Sequence, residues 1–376
     1  MFLWGVSISA FQNEPGGSTP VPDSNWKTWL SGRVDFSKGP DYWHMYEEDH
    51  KLARLLNINA WRTSVDWARI FPEREKPDKK ALEHYERIFS STKEYGLKLI
   101  LNVHHWTFPP WLPGWHDRES VNAFLELVEI VAARFGPYVD MWSTLNEPNI
   151  ELYEGYVEGV FPPGMKSTRA LIKAYRHTLR AHREAMKILR ETGKPVGVIL
   201  HVLPIKGKYP GKLAWSVAQN HVIRAYGKGV DWVGLNYYTI LKIDRKGKKI
   251  YCKHNCTDTG WYVYPEGLYE AIELVSRLGK PIYITENGIA DALDRRRPWF
   301  IRAHLEQLRM ALKDGFDVRG YFHWTLVDNL EWNRGFSAKF GLFSYDPNTK
   351  ERIPKKSAAV YANEIKRFDQ LLSLRV

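Results

Sequence analysis

Short apolar runs recur along the chain, and each breaks off on polar or charged residues. Pro281-Ile282-Tyr283-Ile284 runs into Thr285-Glu286-Asn287-Gly288, and Met141-Trp142-Ser143-Thr144-Leu145 runs into Asn146-Glu147-Pro148. An uncharged run of this length predicts a parallel strand buried on both faces, with its chemistry at the C-terminal end. The same design predicts strands over 2–10, 60–65, 98–103, 196–200, 232–238 and 320–326. Between them, apolar residues recur at helical spacing. Tyr42, Tyr46, Leu52, Leu55 and Leu56 predict a helix over 42–56. Leu82, Tyr85, Phe89 and Tyr95 predict another from about Lys80, stopped by Gly96. Further helices are predicted over 120–135 and 168–192, each followed by a glycine, from about Pro265, and over 357–368, whereas 13–41 reads as Gly/Pro/Ser-rich loop.

Strand and helix alternate along the whole chain with no linker to divide it, which implies right-handed crossovers and a parallel sheet. Eight repeats in 376 residues predict a single (β/α)8 TIM-barrel domain spanning 1–376. A doubly wound open sheet is the alternative, but no Gly-rich phosphate turn follows an early strand.

Composition changes this picture little. The 16 Trp, 20 Tyr and 16 Phe are the outlier, and flat aromatic faces suit the C–H faces of sugar rings, although core packing accounts for most of them. A net charge of +11 raises the question of nucleic acid, yet the basic clusters at 242–249 and 295–297 sit in no nucleic-acid motif, so no such partner is expected. Abundant Lys, Arg and Glu suit a thermophilic source. Cys252 and Cys256 lie four apart in a polar loop. With His254 they make an incomplete metal-ligand set, and two free thiols are the expectation over a disulfide. No metal and no cofactor are expected. The N-terminus lacks the basic n-region of a signal peptide, and no apolar run is long enough to span a membrane, so the expectation is cytoplasmic.

On the barrel reading, the polar residues at strand ends share the catalytic face. A lone Glu after a strand is more often a solvated loop residue. Here Glu147 follows strand four and Glu286 follows strand seven, from roughly opposite walls. Glycoside hydrolysis needs such a pair, one acid for the leaving oxygen and one carboxylate for the anomeric carbon, roughly 5 Å apart when configuration is retained.

Thr144-Leu145-Asn146-Glu147-Pro148 and Ile284-Thr285-Glu286-Asn287-Gly288 resemble the two signatures of glycoside hydrolase family 1, the retaining β-glucosidase and β-galactosidase family. The resemblance extends in order through 5–12, Arg62, 67–72, His105-Trp106, 234–238, 260–267 and 324–340, and covers essentially the whole chain. It implies Glu286 as nucleophile, Glu147 as acid/base, and Arg62 and Tyr238 as the cation and phenol that orient Glu286 and hold its carboxyl down. It further implies that Gln12, His105, Trp106, Asn146, Asn236, Trp324, Glu331, Trp332 and Phe340 face the substrate, a small-molecule β-glycoside or oligosaccharide. Members acting on 6-phosphorylated sugars have a Ser near Glu331, and an acidic Glu331 would repel phosphate, so the resemblance implies an unphosphorylated glucosyl or galactosyl residue, with fucosyl accepted at some loss. A catalytically weak sugar-binding barrel, or an endo-glycanase of the same clan, is the alternative.

The chain also departs from the family. It is short, mainly between strands five and six, where a helical excursion reads as trimmed, and Thr107 follows His105-Trp106 where many members have Asp. Shortened loops would leave the mouth open to longer chains. Nothing in the sequence fixes the oligomeric state.

Overall fold

The computed structural model describes residues 1–373. Eight parallel strands close a barrel in sequence order: β1 Leu3–Ser7, β2 Ala60–Ser64, β3 Lys98–His104, β4 Met141–Asn146, β5 Val196–His201, β6 Trp232–Tyr237, β7 Ile282–Asn287 and β8 Val318–Trp324, with β8 pairing back to β1. Around them lie α1 Tyr42–Leu55, α2 Lys79–Glu94, α3 Glu119–Phe135, α4 Thr168–Arg190, α5 Gly211–Gly227, α6 Glu266–Ser276, α7 Arg297–Lys313 and α8 Lys356–Ser373. The chain is therefore a (β/α)8 TIM barrel, as its alternation predicts.

Each strand gives one face to the helices and one to the barrel axis. On β2, Trp61 packs outward in the main core, while Ala60 joins an inner plug of Ile100, Met141, Ile199, Trp232 and Phe322 with Leu3 and Tyr283 against it, one residue from every strand. The large rings fit because their neighbours are small. A Cβ on Gly5 would stand 2.1 Å from the Phe322 ring, and one on Gly197 2.4 Å from that of Trp232. This plug floors the barrel. Further along several strands the buried residues are polar, among them Arg62, Asn102, Asn146, Asn236 and Glu286, and they form the base of the site.

Two outer helices, α5 and α7, are not delimited by apolar spacing. Leu213 and Val217 on α5 are exposed, so its apolar residues do not mark one buried side. The start of α7 is a basic cluster, yet Arg297 is fully buried and donates to the Ile289, Asp291 and Lys339 carbonyls. The connection from β5 to β6 thus keeps a helix of 17 residues. Outside the barrel, Ile205–Gly207 pairs in parallel with Leu241–Ile243.

The expectation of free thiols is wrong: Cys252 and Cys256 form a disulfide. Asn255, at φ 56°, turns the loop back on itself and brings the two Cα atoms to 5.8 Å, a separation that suits a bridge. Among the described residues no helix is long and apolar enough to cross a membrane.

Candidate active site

The C-terminal ends of the strands surround a cavity of about 450 Å³. Its lining includes Gln12, His105, Trp106, Asn146, Glu147, Tyr238, Glu286, Trp324, Glu331, Trp332 and Phe340. The other two residues singled out from the sequence, Arg62 and Asn236, are fully buried just beneath it. All the predicted site residues therefore converge on one place.

Glu286 is the penultimate residue of β7, within reach of Arg62 on β2. Arg62 donates through Nη1 to Glu286 Oε1, and the Tyr238 hydroxyl donates to Oε2 at 2.6 Å. Both carboxylate oxygens are thereby fixed by charge-assisted or phenolic donors. The electrostatic outcome differs from the expectation that this cation and phenol hold the carboxyl low. Burial raises the Glu286 carboxyl above its ordinary value and the Glu147 charge adds to it, while Arg62 and Tyr238 pull against both without cancelling them. Removal from water outweighs the pairing.

Glu147 ends β4 in the left-handed region at φ 46°, ψ 53°, an uncommon conformation for a residue with a Cβ and one that recurs at functional turns. Pro148 opens a short helix immediately after it, so the chain must turn sharply here. Asn236 Nδ2 donates to Glu147 Oε1 at 2.7 Å, and Thr285 Oγ1 in turn donates to Asn236 Oδ1 at 2.7 Å, which sets the amide's orientation. His201, at the end of β5, places Nδ1 3.3 Å from the same Glu147 oxygen. Burial works to lower the His201 imidazole, but Glu147, Glu286 and Glu154 together raise it above its ordinary value.

Asn146 links the two halves. Its Oδ1 accepts from Arg62 Nη2 at 2.5 Å, which leaves Nδ2 to donate to His105 Nε2 at 3.1 Å. Burial, with Arg62 and His104 adding, keeps His105 well below the ordinary imidazole value and so neutral. With Nε2 accepting, its proton sits on Nδ1, a buried atom with no hydrogen-bond partner among the described residues. Gln12 is held by Ser9 and the Leu330 carbonyl. Trp106 Nε1 donates to the Asn146 carbonyl at 2.9 Å, and the Trp106 and Trp332 rings pack 4.7 Å apart. Burial, helped by Glu286 and Glu147, pushes Glu331 up to about 8, against the pull of Arg334.

Several residues lining the cavity were not singled out as site residues from the sequence, His201, Glu154 and Trp261 among them, on the β5–β6 side. Trp261 belongs to a stretch that resembles the family, and its ring meets Tyr238 edge-on at 5.5 Å. His201 carries no such signal: it follows an apolar strand run as many core histidines do, and only closure of the barrel sets it against Glu147.

The sequence matches the family model described as Glycosyl hydrolase family 1 over residues 1–225 and 218–369. It is 31% identical to a beta-galactosidase of Pyrococcus woesei over 488 aligned positions, covering 97% of this chain and 96% of the relative. Because that alignment is longer than the chain's own 376 residues, the relative carries insertions that are absent here. A 1,4-beta-D-glucan glucohydrolase of Thermotoga neapolitana is 32% identical, with 97% of each chain covered. Among solved structures, a hyperthermophilic beta-glucosidase from Pyrococcus furiosus superposes with a TM-score of 0.91 at 33% identity, over 97% of this chain and 95% of that one.

Proposed function

The chain belongs to glycosyl hydrolase family 1 and is a β-glycosidase; from that premise and its site geometry we propose that it removes terminal glucosyl or galactosyl residues with retention of configuration. The observation that carries this reading is the unequal provision for the two carboxyls. Glu286 is bound by the Arg62 guanidinium and by the Tyr238 phenol, which burial first and then the Glu286 charge hold well above its ordinary value. Its partners favour one state, the anion. Glu147 is bound by an amide and lies beside a titratable imidazole, partners that tolerate a proton coming and going.

In the first step Glu286 attacks the anomeric carbon. The C–O bond to the leaving group breaks with its electron pair on oxygen, and Glu147 supplies the proton that lets the aglycone depart as a neutral alcohol. The ester to Glu286 removes one negative charge from the cavity. Glu147, now ionised, takes a proton from water as the water oxygen attacks the same carbon and Glu286 leaves as a carboxylate. Two inversions give retention.

The terminal sugar sits among Gln12, His105, Trp106, Asn146, Trp324, Glu331, Trp332 and Phe340. Nearly all are buried, which suits a single residue seated at an inner end and hence exo action. Glu331, its carboxyl pushed up to about 8 chiefly by burial, offers a donor as well as an acceptor when it holds its proton, to the hydroxyls of either sugar and of fucose with one contact fewer. That upward shift weakens the charge repulsion of phosphate expected from Glu331, so the reading of an unphosphorylated sugar rests on the residue pattern around it.

Treatment with 2-deoxy-2-fluoro glycosides, followed by mass spectrometry of the labelled peptide, tests the assignment. The label is expected on Glu286, with glucosyl and galactosyl reagents reacting fastest. A label elsewhere would contradict the mechanism.

A further inference from the structure

We propose that the preferred aglycone is apolar, an alkyl chain or fused aryl group, and that a second cavity opening beside Glu147 receives it. The inference rests on the reading of Glu147 as the acid that serves the leaving group. This cavity, about 510 Å³, lies between α5, the loop after β6 and the segment after β4, within the size range of small-molecule sites. It shares Ile150, Glu154, His201, Leu203, Thr239 and Trp261 with the catalytic cavity, so the two are continuous. The junction is on the acid's side. His201 Nδ1 is 3.3 Å from Glu147, whereas Gln12 and Glu331 line the catalytic cavity alone. A group leaving with its oxygen at Glu147 is therefore directed towards the second cavity.

The chemistry of the walls selects the aglycone. Leu203, Ile205, Val222, Ile223, Leu241 and Ile250 supply apolar surface. Several polar groups among them are already occupied within the protein. Gln219 bonds the Leu203 backbone N–H and carbonyl, each at 3.0 Å, and Trp215 Nε1 donates to the Gly247 carbonyl at 3.0 Å. The Tyr262 hydroxyl donates to the Ile250 carbonyl at 3.1 Å, the Tyr153 hydroxyl donates to Glu158, and Lys249 pairs with Glu158 at 3.2 Å. The Glu154 carboxyl, at the junction, is raised by burial first of all. A second sugar placed here would surrender water from its hydroxyls and find these partners taken, whereas an apolar body loses nothing on entry. Between β5 and β6 the chain folds as α5, which forms one wall of this apolar space.

The test compares kcat/KM for methyl, butyl and octyl β-glucosides, the last below its micellar concentration, with cellobiose and cellotetraose. A fully buried methylene is worth roughly fourfold, so octyl is expected to exceed methyl by at least tenfold and to exceed both oligosaccharides. Ala218→Trp, at an exposed α5 position on the cavity wall, is expected to bring the octyl-to-methyl ratio towards one. An octyl-to-methyl ratio near one in the unaltered enzyme, or faster cleavage of cellotetraose than of octyl glucoside, would overturn the proposal. Calorimetric binding of octyl and methyl 1-thio-β-glucosides reads the cavity without turnover. If octyl binds at least tenfold more tightly while no fluoroglycoside labels Glu286, the cavity stands and the assignment of the catalytic pair fails. Equal binding overturns the cavity alone.

Discussion

The Tyr238 hydroxyl illustrates how much a single donor decides here. It is one of two groups that lower the Glu286 carboxyl against the push of burial and of Glu147. Tyr238→Phe removes that pull, so the nucleophile requires a higher pH to ionise, and the acid limb of kcat/KM is expected to move upward. A hydrogen bond to a charged group is worth about 1.5–3 kcal/mol, so kcat/KM at the optimum is expected to fall roughly 10- to 100-fold. A pH–rate profile checks both, and a limb that stays in place or moves down would refute the role given to the phenol. The residues of this pair were legible in sequence because each carboxylate sits in a distinctive run at a strand end. The balance of forces on Glu286 was not. Pairing is visible in residue types, but the cost of burial depends on how completely the surrounding chain excludes water.

At the scale of elements, the strand ends are tied to the loops that follow them by buried polar clusters. Glu14, just after the short helix Ala10–Asn13, accepts from Arg69 at 3.0 Å and from the Tyr85 hydroxyl on α2 at 2.8 Å. Burial pushes its carboxyl from 4.5 up to about 7, against the pull of Arg69. The folded chain therefore holds this proton more tightly than the unfolded chain does. The resulting stability is complete below the unfolded value and is lost as pH rises through about 7. Relative to Glu14→Gln, the natural enzyme is expected to lose stability between about pH 4.5 and 7, at up to about 1.4 kcal/mol per pH unit. Guanidinium unfolding of both proteins across that range tests it; a difference that is constant or grows with pH would exclude the linkage. Strand positions and six of the outer helices were readable from periodicity. Helices α5 and α7 were not, since α5 exposes apolar residues to a cavity wall and solvent and α7 buries an arginine.

Over the whole molecule, the eight strands close a ring and the loops above it complete the site. The disulfide lies in one of these loops, bordering the second cavity rather than the barrel. A five-residue ring constrains the unfolded chain by about 2 kcal/mol, so reduction is expected to lower the thermal midpoint by only a few degrees while exposing residues 244–262 to proteolysis. Circular dichroism and limited proteolysis, with and without reductant, measure the two effects; a fall of more than about 10 °C would mean that the loop clamps the barrel itself. The aromatic excess likewise resolves only at this scale. Trp4, Trp26, Trp61, Trp67, Trp115, Trp142 and Trp232 are core, and Trp106, Trp261, Trp324 and Trp332 face the site. By itself, the sequence determined the alternation of elements, the barrel, the two carboxylates and the residues that resemble their partners, because strand period and strand-end polarity are local properties. Tertiary structure decided that His201 meets Glu147, that Cys252 reaches Cys256, that Glu286 is raised rather than lowered, and that a second cavity opens beside the acid. Each of these depends on distances between segments far apart in the chain or on the turn of a loop, and no local pattern of residues encodes them.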